Sequence, residues 1–169
     1  METKSGENFK DIKLMICTLL ENSYYTGFFC NTRGFILYFE KSSQDEINGY
    51  KTPWNIEFNI YSEWWHNSAN EWNDTLLKYG NNQIVEPHEP VRAYELSSLM
   101  WMEGSKINKV ELDDYSIKII FENKKTITIK NRTDMDYAWV IYGRFTKGMK
   151  DNWTFTCECD GKLYTEVPF

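Results

Sequence analysis

Trp153-Thr-Phe-Thr-Cys-Glu-Cys159, then Asp160-Gly161, then Lys162-Leu-Tyr-Thr-Glu-Val167 is the stretch that decides the fold. The first run alternates apolar and polar residues without a break, which is the period of a strand with one buried face. Asp-Gly joins it to a second extended run. That dipeptide suits a type I′ hairpin turn, whose two central residues both need φ > 0.

The same grammar continues upstream. Lys109–Leu112, Tyr115–Phe121, Thr126–Lys130 and Tyr137–Tyr142 read as successive strands, with Tyr115, Ile117, Ile119 and Phe121 on one face and a turn at Glu122–Lys125. Connections this short require antiparallel pairing. One antiparallel sheet over residues 107–167 is therefore expected. Nearer the start, Gly34–Glu40 reads as a strand. Trp54–Glu63 reads as another, with Ile56, Phe58 and Ile60 inward and Asn55, Glu57, Asn59 and Tyr61 solvated.

Helical spacing appears in three places. Phe9, Ile12, Met15, Ile16, Leu19 and Leu20 make one face of a helix over 7–21, packed on the sheet. Residues 68–79 form a short helix with Trp72, Leu76 and Leu77 inward and Gly80 at its end. Residues 93–102 form another, closed by Gly104. The fold class is α+β: a mainly antiparallel sheet with an N-terminal helix and one or two short helices. The chain is read as one domain over 1–169. The Pro-rich segment 86–90 is a candidate subdomain break, but neither half alone buries a comfortable core.

The bulk numbers narrow the function classes. The chain has 169 residues, 41% hydrophobic and 26% charged, which excludes a disordered chain. Aromatic residues reach 17%, and ring-rich strands and core account for them. Net charge is −6: residues 1–85 carry seven basic and eleven acidic residues (−4), residues 86–169 twelve and fourteen (−2). A spread acidic charge disfavours nucleic acid and suits a basic partner. No run approaches membrane-spanning length. The apolar stretch Leu14–Leu20 is short and follows acidic Glu7 and Asp11, unlike a secretory signal. Cys17, Cys30, Cys157 and Cys159 lack framework spacing, so reduced thiols and a cytoplasmic protein are expected, and the sequons at Asn73, Asn131 and Asn152 carry no weight there.

No stretch carries a catalytic motif. Cys157 and Cys159 share a strand face with Trp153 and Phe155 and read as buried, metal-free core thiols, since a zinc site needs about four ligands. His66 and His88 have no nucleophile elbow, zinc-binding helix or phosphate loop around them. Glu57 and Glu63, near Tyr61, Trp64, Trp65 and Trp72, form the one pair of carboxylates set among rings. That pattern is the basis of an alternative reading as a small enzyme acting on carbohydrate or another small molecule. A structural or phage-encoded interaction module is a third reading. Asp113-Asp114 and Asp134-x-Asp136 precede strands and read as turn formers or as an acidic recognition patch. Sequence leaves open whether the two pairs meet, because that depends on how the following strands run.

One block resembles a known layout: Leu99-Met-Trp-Met-Glu-Gly104, Ile107-x-x-Val110-x-Leu112, Ser116–Asn123, Thr126–Ile129 and Asp136–Ile141, with Asn59–Trp64 upstream. It resembles small bacterial α+β proteins, some of them similar to the immunity proteins that neutralise polymorphic or contact-delivered toxins. The resemblance spans roughly residues 54–142, carries no active-site residues, and has Asn123-Lys124 where Asp-Gly or Asn-Gly is usual. Together with the single domain, the acidic charge and the lack of a catalytic motif or metal-ligand spacing, it leads to the expectation of a non-enzymatic inhibitor without cofactor or metal, bound to a protein partner such as a basic toxin domain. The expected contact residues are Asp113, Asp114, Asp134 and Asp136 as a carboxylate rim, with Trp64 and Trp65 as aromatic anchors.

Overall fold

The computed structural model describes residues 9–31, 34–80, 89–144 and 153–168. Among them the chain forms, in order, α1 (Phe9–Leu20), β1 (Ser23–Asn31), β2 (Gly34–Lys41), β3 (Glu46–Ile47), β4 (Tyr50–Lys51), β5 (Asn55–Ile60), β6 (Trp64–His66), α2 (Ala69–Gly80), α3 (Glu89–Met100), β7 (Ile107–Leu112), β8 (Ser116–Phe121), β9 (Thr126–Lys130), β10 (Tyr137–Arg144), β11 (Trp153–Glu158) and β12 (Leu163–Glu166). The fold is α+β, and every described strand pairing is antiparallel.

The strands of residues 107–167 belong to two sheets, which corrects the expectation of one. The larger runs β1-β2-β5-β10-β11-β12, the smaller β6-β9-β8-β7, and β3-β4 is a separate hairpin. Alternation marks which side of a strand is buried, but not which neighbour it pairs with. The chain changes sheet at two corners. At residues 61–63 the amides of Tyr61 and Ser62 both donate to the Ala138 carbonyl of the larger sheet, while Ser62 Oγ donates to the Lys130 carbonyl of the smaller one. The second corner is the segment 131–136.

The inward faces of the two sheets and α1 share one core. Trp139, Trp153, Phe58 and Phe155 of the larger sheet are fully buried, as are Ile117, Ile119, Ile127 and Ile129 of the smaller. Rings cross between the sheets: Tyr25 meets Phe121 at 6.5 Å and Phe35 meets Trp64 at 5.2 Å. The core draws side chains from both sides of the 86–90 segment, from Ile12 to Cys157. The edge of β1 is covered by residues 104–107. Gly104 N donates to the Tyr25 carbonyl, Tyr25 N to that of Ser105 and Asn22 N to that of Ile107. That contact protects a strand edge otherwise open to pairing.

Helix α1 buries Ile12, Met15, Ile16, Leu19 and Leu20, each worth about 1.5–3 kcal/mol of transfer free energy. Its last carbonyls are satisfied by a residue that periodicity does not reveal. Lys41, buried at the end of β2, donates from Nζ to the carbonyls of Thr18 (2.8 Å), Leu19 (3.0 Å) and Glu21 (3.1 Å) and pairs with Asp45 at 2.7 Å. A cation at a helix C-terminus also complements the helix dipole.

Several local expectations change. The turn at Asp160-Gly161 is a three-residue loop, not a type I′ turn. Glu158 N donates to the Lys162 carbonyl, Gly161 N to that of Glu158, and of the loop residues only Gly161 has positive φ, +90°. The β8–β9 turn repeats this geometry with Lys124 in the glycine position at φ +68°. Leu77 is exposed on α2, contrary to its inward placement. Asn59, expected on a solvated face, is buried between Ile36 and Val140. Helix α3 starts earlier than residue 93 and holds Pro90 in its first turn, where proline costs no hydrogen bond. The rest of the Pro-rich segment lies outside the described residues.

Candidate functional site

Three turns of the sandwich meet at one end. They are 113–116 between β7 and β8, 131–137 between β9 and β10, and 158–162 between β11 and β12. The residue that gathers them is Asn131, only 1% exposed. Its amide donates to the Tyr115 carbonyl at 2.8 Å and its Nδ2 to the Asp113 carbonyl at 2.7 Å. Its Oδ1 accepts from Trp139 Nε1 at 2.9 Å, and its own carbonyl accepts from Cys157 Sγ at 3.4 Å. One side chain and its backbone therefore tie both sheets and two turns together. The third contact runs directly between loops: Thr133 N to the Cys159 carbonyl, and Cys159 N to the Asp136 carbonyl. A Cβ on Gly161 would lie 3.4 Å from the Asn131 carbonyl oxygen, so this turn rests on the same hub.

The four predicted loop acids, Asp113, Asp114, Asp134 and Asp136, are thus brought to one end. They meet although β8 and β10 lie in different sheets, because the turns bond to each other. Asp113 is partly a turn former: its Oδ1 accepts from the amides of Tyr115 and Ser116, both at 2.8 Å. Asp160 does the same for Lys162 N at 3.0 Å, and the Lys162 ammonium at 2.6 Å holds its carboxyl below the usual range. Asp114, Asp134 and Asp136 are exposed. With Glu158 the three turns carry six carboxylates against Arg132 and Lys162, a net of −4. Set among them are Tyr115 (73% exposed), Met135 (45%) and Tyr137 (46%). Sequence reasoning placed the acids but missed these three anchors and Asn131. Alternation places Tyr115 on one face with Ile117, Ile119 and Phe121, but it lies one residue before β8 begins, in the turn.

The tryptophan region is built the other way. Trp64 points into the core, against Phe35 and Trp72 (both 5.2 Å), and Trp72 in turn meets Tyr94 at 5.3 Å. Trp64 is therefore a core ring and not a partner anchor, which corrects its assignment. Trp65, its neighbour on β6, faces the opposite side and is half-buried. His66 returns inward, with Nε2 2.9 Å from Met102 Sδ and its ring stacked on Trp72 at 6.3 Å. Burial, and secondarily the charge of Lys125, lowers its pKa to about 4. His88 lies outside the described residues.

Glu57 and Glu63 do not form one site. Glu57 faces outward on the larger sheet and pairs with Arg144 at 2.7 Å. Glu63 lies past the other end of β5 and pairs with Lys130. A groove of about 560 Å³ beside α2 is lined by Tyr61, Glu63, Trp65 and Glu95, with the edges of the buried Trp64 and Trp72 rings at its floor, and Glu57 is not part of it. Cys157 is buried, and burial raises its thiol pKa to about 12. Cys159 is exposed, contrary to expectation, because β11 ends at Glu158 and Cys159 enters the turn. No disulfide joins the four cysteines. Among the described residues, no three His, Cys, Asp or Glu side chains converge as a metal site, and no helix is long and apolar enough to cross a membrane.

Comparison with known protein families, curated proteins and solved structures returns no match.

Proposed function

We propose that the protein is a non-enzymatic binding protein of the cytoplasm, an immunity-type inhibitor that covers the working surface of a basic protein such as a toxin domain. The observation that carries this reading is the turn end. Exposed Tyr115, Met135 and Tyr137 sit among six carboxylates on a frame fixed by Asn131. Interfaces of this kind combine apolar anchors with a charged rim, and the rim sets approach rate and partner choice. A frame already hydrogen-bonded before binding loses little conformational freedom in the complex. The unbridged cysteines are in keeping with a reducing compartment.

The two-carboxylate enzyme reading has less behind it, since Glu57 and Glu63 answer to different cations in different places. The test is co-expression with the product of the adjacent gene. The reading predicts that this product is basic, that it arrests growth when expressed alone, and that the two proteins purify together as a stoichiometric complex. A neighbour that is harmless and forms no complex would contradict it.

A further inference from the structure

The outward faces of the two sheets differ in kind. On the smaller sheet, Lys109, Lys118 and Lys130 alternate with Glu111 and Thr126 around a half-buried Ile120, and only at the β6 edge does a ring, half-buried Trp65, lie beside buried Thr128. That is a strand face made to meet water, and its lysines discourage association. On the larger sheet, two register rows cross the strands. One runs Phe29, Ile36, Asn59, Val140, Thr156, Tyr164; the next holds Tyr38, Glu57, Tyr142, Thr154 and Glu166. The first row is exposed at its ends, Phe29 at 53% and Tyr164 at 50%, and buried at its middle, Asn59 and Val140; Tyr142 of the second row is exposed. Among the described residues no lysine occupies an outward strand position of this sheet. Its cation there, Arg144, is held by Glu57, while Glu40, Glu158 and Glu166 add negative charge.

We propose that this face is a second part of the docking surface, and that its occupant is an arginine-bearing segment of the basic partner. The inference rests on the protein-binding reading above. The face is continuous with the turn end, because Thr156 and Tyr164 are an outward register pair separated from the 158–162 turn only by the inward pair Cys157 and Leu163. Charge selects the occupant. A second copy of the chain would set glutamates against glutamates, whereas a guanidinium stacks on tyrosine faces and bonds carboxylates with its planar fork.

The probe is a short peptide of alternating arginine and glycine, titrated into the full-length protein and followed by amide chemical shifts. The expected result is saturable binding that moves the amides of Tyr38, Tyr142 and Tyr164. Tyr142→Thr/Tyr164→Thr should bind roughly tenfold more weakly, the loss of two cation–π contacts, while Tyr142→Phe/Tyr164→Phe keeps the affinity. Threonine preserves strand propensity, and the unperturbed spectrum reports that the variant is folded. A lysine-for-arginine peptide should bind more weakly than the arginine one. Shifts confined to the turns 113–116, 131–137 and 158–162 would overturn this inference and leave the protein-binding reading intact. Shifts at neither place would overturn the inference and remove the charge argument for that reading. Sedimentation showing a dimer that the threonine variant abolishes would assign the face to a second copy instead and overturn the proposal.

Discussion

The tryptophan end and the turn end use the same kinds of residue for opposite purposes. In sequence both put aromatic rings beside carboxylates: Glu63-Trp64-Trp65 in one, Asp113-Asp114-Tyr115 and Asp134-Met-Asp136-Tyr137 in the other. In the fold Trp64 and Trp72 are buried against Phe35 and Tyr94, while Tyr115 and Tyr137 stand in solvent. The difference comes from strand position. Trp64 occupies an inward register position opposite Ile129, whereas Tyr115 falls just before β8 begins, where alternation no longer dictates a side, and Tyr137, the first residue of β10, pairs with Glu158 on the outward side. A ring beside an acid is a core ring when its register position faces inward, and a contact ring when it lies in a turn or faces outward at a strand end.

If that contrast holds, substitutions at the two ends separate cleanly into stability and binding effects. The largest effect is at the tryptophan end. Trp72→Ala empties a space shared with Trp64, His66 and Tyr94 and should destabilise the protein by about 3–5 kcal/mol, read as a shift in urea midpoint with unchanged slope. His66 supplies the next effect. Its native pKa of about 4 lies below the unfolded value of about 6.5, so the unfolded chain takes up the proton first. Its contribution is complete above pH 6.5, declines as pH falls toward 4, and is gone below that; it amounts to at most roughly 3 kcal/mol. Wild type should therefore lose stability between neutral pH and pH 4.5 more steeply than His66→Phe, and equal slopes in denaturant titrations would contradict this placement. At the base of the turn end, Asn131→Ala orphans buried Trp139 Nε1 and should cost about 2 kcal/mol. The smallest stability effect belongs to the exposed anchors. Tyr115→Ser and Met135→Ser should stay within about 0.5 kcal/mol of wild type by thermal unfolding, and a larger loss would make them core residues after all.

The elements that were legible are those with strict period: β5, β8, β9, β10, β11, β12 and α1 all fall where alternation or helical spacing places them. Sheet membership was not legible, because period 2 reports a buried side and not a partner. β1 was missed: its Ser-Tyr-Tyr-Thr-Gly-Phe-Phe-Cys-Asn run breaks phase at the bulge between Tyr25 and Gly27. Of the candidate site, the four acids were readable as turn residues, yet their convergence was not. It depends on Asn131, a single buried amide whose four contacts lie 8 to 26 residues away in sequence. Lys41 was hidden for the same reason, since a lysine closing a strand looks solvated until the helix it caps is in place.

The most direct test of recognition by the turn end is the rate of association with the partner obtained by co-expression, measured against ionic strength. Asp114→Lys and Asp134→Lys/Asp136→Lys are the informative variants, since Asp113 also holds its own turn. Charge reversal there should slow association about tenfold at low salt and flatten its salt dependence, with dissociation little changed. Tyr115→Ser should do the reverse, speeding dissociation and leaving the salt slope alone. Variants that keep both the wild-type association rate and the wild-type salt slope would show that these carboxylates are turn residues only and that the partner docks elsewhere.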